Sequence, residues 1–203
     1  MTRADPPNRC LRRIMTLLAL ALCAALSPVT GLADDAGWKL LETGGQVVLM
    51  RHALTDPGAG DPAGFTLEDC ATQRNLSATG RDDARRIGEA FRQRKIPVER
   101  VLSSRWCRCL ETARLAFGTV EPWPPLDSIF VDRGRASEQS RDVKARIAEH
   151  RGRGTLVLMT HGVNISALIG IVPAAGEMVV VAPDGRGGLR VTGRIHPDAA
   201  RTN

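Results

Sequence analysis

A chain of 203 residues with 43% hydrophobic content can bury one sizeable core, and its length gives no reason to expect a second folded domain. Its formal charge of +6 is interspersed rather than gathered into a stripe, and aromatic residues make up only 3% of it, which argues against a nucleic-acid binder with basic patches and stacking platforms. Cysteines without a C-x-x-C pair and histidines without an H-x-x-H pair give a zinc site little support.

At the N-terminus, Arg9, Arg12 and Arg13 precede an apolar run over residues 14–26, followed by Pro28 and a small-residue stretch ending at Ala33. This is the pattern of an export signal over residues 1–33, cleaved after Ala33. The apolar run is shorter than the roughly 20 residues a membrane-spanning helix needs. No stable membrane span is therefore expected after cleavage, and residues 34–203 are expected to form a single periplasmic or secreted domain. Four arginines and one acid lie in residues 1–33, so the remainder carries a formal charge of +3. Cys10 and Cys23 fall in the signal; Cys70, Cys107 and Cys109 remain, in a compartment where disulfides persist. Either Cys107 or Cys109 could reach Cys70.

From Gly45 onward short apolar runs alternate with longer amphipathic stretches, which predicts an α/β fold. The elements in chain order are a strand over residues 47–51, a Pro-, Gly- and Asp-rich loop over 56–73 and a helix over 77–94 with Ala84, Ile87, Gly88 and Phe91 on one face. A strand over 101–103, a helix over 106–117, a short strand or extended loop over 126–131 and a helix over 138–150 follow. The strongest strand is 155–160, "TLVLMT", apolar enough to be buried on both faces of a parallel sheet. A helix over 164–169 and a hairpin of 179–181 with 189–195 about the turn "PDGRGG" close the pattern.

Two strands run apolar and end on a histidine, "VVLMRH" at His52 and "LVLMTH" at His161. In open α/β sheets ligands collect at the carboxyl ends of strands. If these two strands are parallel neighbours, both histidines face one crevice. The stretch "SSRWCRCLETA" places Arg108 near a helix N-terminus, where backbone N–H groups and the helix dipole favour an anion and a guanidinium adds a planar fork for phosphate oxygens. Trp106 and Trp123 read as core packing.

"LMRHALT", "SSRWCRCLETA" and "MTHGVNISAL" resemble, in order, the three motif blocks of the histidine phosphatase superfamily, the phosphoglycerate-mutase-like proteins, and "LSATGRDDARRIGEAF" resembles the helix between the first two. The resemblance spans residues 46–169. It implies a three-layer α/β sandwich with a mostly parallel central sheet flanked by helices, and a phosphate pocket of Arg51, His52, Arg108 and His161. Aligning Thr112-Ala113 selects Arg108 over Arg105.

By that resemblance His52 is the nucleophile, attacking through a neutral imidazole whose other nitrogen is hydrogen-bonded to a backbone carbonyl, and a covalent phosphohistidine results. Arg51, Arg108 and a cationic His161 would stabilise the transferring group, with Thr55 and the Gly162 and Val163 amides as further donors. The superfamily's general acid is not plainly present in "PLDSIFVDRGRASEQ"; Asp132, with Asp127 as the alternative, is the candidate. The superfamily's glycine after the first histidine is Ala53, as also in exported proteins related to lipopolysaccharide-core heptose phosphatases. The expected activity is hydrolysis of a small phosphate monoester, with a sugar phosphate or lipopolysaccharide core among the substrates considered, and with neither metal nor organic cofactor. A catalytically silent phospho-ligand-binding module is the alternative.

Overall fold

The computed structural model describes residues 30–200. The chain divides into two compact units, Met1–Gly31 and Leu32–Asn203. The first lies almost wholly outside the described residues, as do the apolar run, Cys10 and Cys23. The second carries a six-stranded sheet, and no described helix is long and apolar enough to cross a membrane.

The strands are β1 (Val47–Arg51), β2 (Val98–Ser103), β3 (Glu121–Pro122), β4 (Thr155–Thr160), β5 (Met178–Pro183) and β6 (Leu189–Ile195), in the sheet order β3-β2-β4-β1-β5-β6. The four strands from β3 to β1 pair parallel, and β5 and β6 add an antiparallel edge. β1 and β4 are adjacent and in register, Val47 opposite Leu156 and Arg51 opposite Thr160. The two strands that end on histidine are therefore parallel neighbours.

Alternation along the strands sends side chains to two faces. Val48, Met50, Val157, Met159, Met178 and Val180 face one way, against Trp38 and Leu41 of α1 (Thr30–Glu42), Ile87 and Phe91 of α2 (Ala78–Gln93) and Cys109 and Ala113 of α3 (Cys107–Phe117). Val47, Leu49, Leu156, Leu158, Val179 and Val181 face the other way, against Val143 and Ile147 of α4 (Ala136–Glu149) and Ile165 and Leu168 of α5 (Gly162–Ile169). Two apolar faces of one sheet each need a covering layer, which makes the three-layer sandwich.

Helix boundaries follow local chemistry. Ser77 caps α2 by accepting from the Gly80 amide. Gly80 and Gly88 are placed where a Cβ would strike the Leu54 and Ala116 carbonyls, so small residues there let α2 close on the chain after β1 and on α3. The expected strand over 101–103 begins earlier, at Val98, because pairing with β4 continues past the exposed Glu99 and Arg100. The stretch 126–131 is not a strand: Pro124–Leu126 forms a 3-10 turn, and the short edge strand is the preceding Glu121–Pro122.

Candidate active site

The carboxyl ends of β1, β2 and β4 meet at one crevice. His52 extends the β1–β4 pairing by donating its amide to the Thr160 carbonyl at 3.0 Å, and His161 caps α5 one residue beyond β4. The two rings sit edge to face with centroids 5.4 Å apart. Nδ1 of His52 lies 2.8 Å from the Ala53 carbonyl oxygen. A carbonyl only accepts, so Nδ1 carries the proton and Nε2 keeps its lone pair. Burial pushes the His52 pKa down to about 3, and the positive charges of Arg108, Arg51 and Arg74 act in the same direction against the Ala53 carbonyl.

His161 Nε2 is 2.8 Å from Ser104 Oγ, and the Trp106 ring packs edge-on at 5.5 Å. Burial first, then His52 and the arginines, hold the His161 pKa well below the ordinary imidazole value. The cationic His161 expected beside a phosphate is thus a neutral imidazole when only arginines surround it; a phosphate dianion would have to supply the charge that reverses this.

Arg108, the second residue of α3, is buried and bonded to Asp61, with Nη1–Oδ1 at 2.6 Å and Nη2–Oδ2 at 3.2 Å. Trp106 Nε1 donates to Asp61 Oδ2 at 2.9 Å and the Arg74 amide to Oδ1 at 3.1 Å. Burial alone would raise the Asp61 pKa, but the Arg108 hydrogen bonds and charge, aided by Trp106 and Arg74, outweigh it and keep the carboxyl ionised. Arg51 donates Nη1 to the Pro173 carbonyl at 2.7 Å, and Arg74 donates to the Gly58 carbonyl. The Nε atoms of Arg51, Arg74 and Arg108 are all buried without a hydrogen-bond partner. Three guanidiniums and two histidines thus converge on a cavity of about 570 Å³.

Arg51, His52, Arg108 and His161 all line this cavity, as do Gly162 and Val163. Arg105, the rejected alternative, points instead to Asp127, with Nη2–Oδ2 at 2.6 Å. Thr55 does not reach the cavity, because it bridges to Leu76 at the approach to α2. Asp132 is not brought in either: it is exposed, and its carboxylate caps the 3-10 turn Arg133–Arg135 by accepting from the Gly134 amide at 3.0 Å. Asp127 is fully buried against Arg105. Ala53 is fully buried, its amide donates to Thr112 Oγ1 at 3.1 Å, and its φ is not positive, so the backbone does not require glycine there.

Asp61 and Arg74 were not anticipated. Both belong to the Pro- and Gly-rich stretch before α2, where no periodicity marks an inward-facing side chain. Trp106 packs in the core as expected, yet it also forms a wall of the cavity and anchors Asp61. Cys70 and Cys107 form a disulfide that ties the same loop to the first residue of α3, leaving Cys109 buried and free, its thiol pushed up to about 12 by burial.

Residues 47–133 match the family model of the histidine phosphatase superfamily (branch 1). Over those residues, which include Arg51, His52 and Arg108 but not His161, the chain is similar to that superfamily. No curated protein matches. Among solved structures, the protein histidine phosphatase SixA complexed with tungstate is 22% identical, with a TM-score of 0.52, covering 75% of this chain and 97% of its own. A phosphoserine phosphatase mutant from Entamoeba histolytica in complex with phosphoserine is 14% identical, with a TM-score of 0.55, covering 76% and 98%. The alpha-ribazole phosphatase from Shigella flexneri is 14% identical, with a TM-score of 0.54, covering 75% and 96%. At such identities the likeness shows the fold, and it is the phosphoglycerate-mutase-like sandwich expected of the superfamily. These relatives lend no support to a particular resemblance to lipopolysaccharide-core heptose phosphatases.

Proposed function

We propose that this chain is an exported, metal-independent phosphate-monoester hydrolase of the histidine phosphatase superfamily that works through a phosphohistidine on His52. The observation that carries the reading is the His52 imidazole, with Nδ1 held by the Ala53 carbonyl and the Nε2 lone pair left free beside Arg51, Arg74 and Arg108. Phosphoryl transfer needs an in-line nucleophile and positive charge around the equatorial oxygens, and this arrangement provides both. Nε2 would form a bond to phosphorus as the bond to the leaving oxygen breaks. Water would then attack phosphorus, release inorganic phosphate and restore the imidazole.

Arg51, Arg108 and a His161 that gains a proton when the dianion binds would stabilise the transferring group. Arg74 joins them as a third guanidinium. Similarity to proteins described with tungstate or phosphoserine is consistent with a small oxyanion or phosphorylated ligand. Export is supported by the sequence pattern of residues 1–33.

The test uses purified protein beginning at Asp34, assayed on phosphate monoesters from pH 4 to 8 beside His52→Ala, with acid-quenched trapping of an acid-labile phosphoenzyme. Turnover and a trapped phosphoenzyme, both absent in His52→Ala, are expected. No activity above the variant on any substrate would overturn the enzyme reading. Among the described residues Asp61 is the only carboxylate lining the cavity and is committed to Arg108, which favours a silent phospho-ligand module as second reading. Phosphate binding without turnover would select it. The mass of the exported form tests cleavage after Ala33.

A further inference from the structure

The cavity has two chemically different parts. Its floor holds His52, His161, Arg51, Arg74 and Arg108. Its rim is apolar: Phe130, Val131 and Val172 line it while exposing 49%, 79% and 70% of their surface. Among the described residues only two other large hydrophobic side chains are exposed, Leu54 and Val191, so three of the five sit at this one opening. The Phe130 ring leans across toward the Gly60 backbone of the opposite loop, where a built Cβ would lie 3.1 Å from Cε1. Ile129 and Val163 continue the apolar wall inward, and Ser128, Arg133 and Ser166 are its polar exceptions.

A phosphate seated on the arginines would direct its leaving group past this wall. Hydroxyls of a sugar or polyol there would give up water with few partners to replace it, whereas an apolar ring would gain by burial. The leaving oxygen faces a second constraint. Asp61 is ionised and held by Arg108, Trp106 and Arg74, and among the described residues no other carboxylate lines the cavity, so none of them offers the departing oxygen a carboxylic acid. A phenol-type oxygen, with a pKa near 10 in tyrosine, leaves unprotonated far more readily than an alkoxide.

Resting on the phosphatase reading above, we infer that the substrate class is phosphate monoesters of apolar aromatic alcohols, with the phosphate held by Arg51, Arg74 and Arg108 and the ring packed against Phe130 and Val172. The test compares 1-naphthyl phosphate, octyl phosphate and glycerol 3-phosphate. The protein should turn over the naphthyl ester with kcat/KM about tenfold or more above either of the others. His52→Ala protein, which cannot form the phosphoenzyme, should bind 1-naphthyl phosphate about tenfold more tightly than glycerol 3-phosphate in calorimetry. In Phe130→Ser/Val172→Ser, checked by circular dichroism to be folded, that affinity ratio should narrow to within about threefold. Equal affinities, or tighter binding of glycerol 3-phosphate, overturn this inference and leave the phosphatase reading standing. Octyl phosphate turned over as fast as the naphthyl ester overturns the aromatic assignment. Absence of turnover on every substrate overturns the phosphatase reading, and the binding ratio then still decides the ligand class.

Discussion

Asp61 grips Arg108 through both carboxylate oxygens, and both side chains are almost wholly buried, 6% and 4% exposed. Asp61→Asn keeps the shape but removes the charge facing a buried guanidinium. A loss of about 3 kcal/mol in urea unfolding is expected, the range for breaking one side of a buried pair. Inorganic phosphate would replace the missing negative charge, so it should raise the melting temperature more in Asp61→Asn than in the unaltered protein. An equal rise in both would show that Arg108 does not meet the phosphate.

The two histidines make stability depend on acid. His52 titrates at about 3 in the folded protein against 6.5 unfolded, and His161 is shifted the same way. Above pH 6.5 both states hold neutral imidazoles and nothing changes. Below it the unfolded chain takes up protons that the folded one refuses, so stability should fall as pH drops from about 6.5 toward 3. Thermal unfolding between pH 4 and 8 checks this, and His161→Asn should flatten the slope. In the free protein His52 stays unprotonated across that interval, so an acid limb of kcat/KM should follow the second pKa of the phosphate ester, about 6, and shift with the substrate.

The Cys70–Cys107 bond joins positions 37 apart in sequence and closes a loop that carries Arg74. The chain-entropy model gives such a cross-link about 3–4 kcal/mol. Cys70→Ser/Cys107→Ser should unfold at lower urea by roughly that amount, with KM for a phosphate monoester rising because Arg74 is released. Denatured protein beginning at Asp34 should show one reactive thiol before reduction and three after it. Three thiols without reductant would rule the bond out.

Asp132 caps an exposed 3-10 turn instead of facing the cavity. Asp132→Asn should therefore alter kcat by less than about threefold, against the 10²–10⁴-fold expected for loss of a general acid. A hundredfold fall with an alkyl phosphate, and little change with an aryl one, would restore it as the acid.

At Ala53 the buried methyl and an ordinary backbone conformation leave glycine no advantage. Ala53→Gly should give no gain in kcat/KM and should lower stability by about 1 kcal/mol, since glycine loses more backbone freedom on folding. A severalfold gain in activity would show that the methyl crowds the site.

The sequence by itself determined the parts of this protein that rest on local regularity. The apolar run of residues 156–159, too short for a helix of its own, read as a strand covered on both faces, and the apolar runs ending at His52 and His161 marked the strand ends at which polar chemistry begins. The helix of Arg108 was legible from spacing, because a 3.6-residue period is a property of a few consecutive residues.

The tertiary structure alone decided what completes the pocket. Asp61 and Arg74 come from an irregular loop whose path is set by a disulfide and by hydrogen bonds to residues more than thirty positions away, among them Arg108 and Trp106. The same long-range contacts carried Thr55 to Leu76 and left Asp132 facing solvent. Periodicity records which side of an element is apolar. Where a loop without periodicity places its side chains depends on partners far along the chain, and that becomes fixed only when the sheet brings them together.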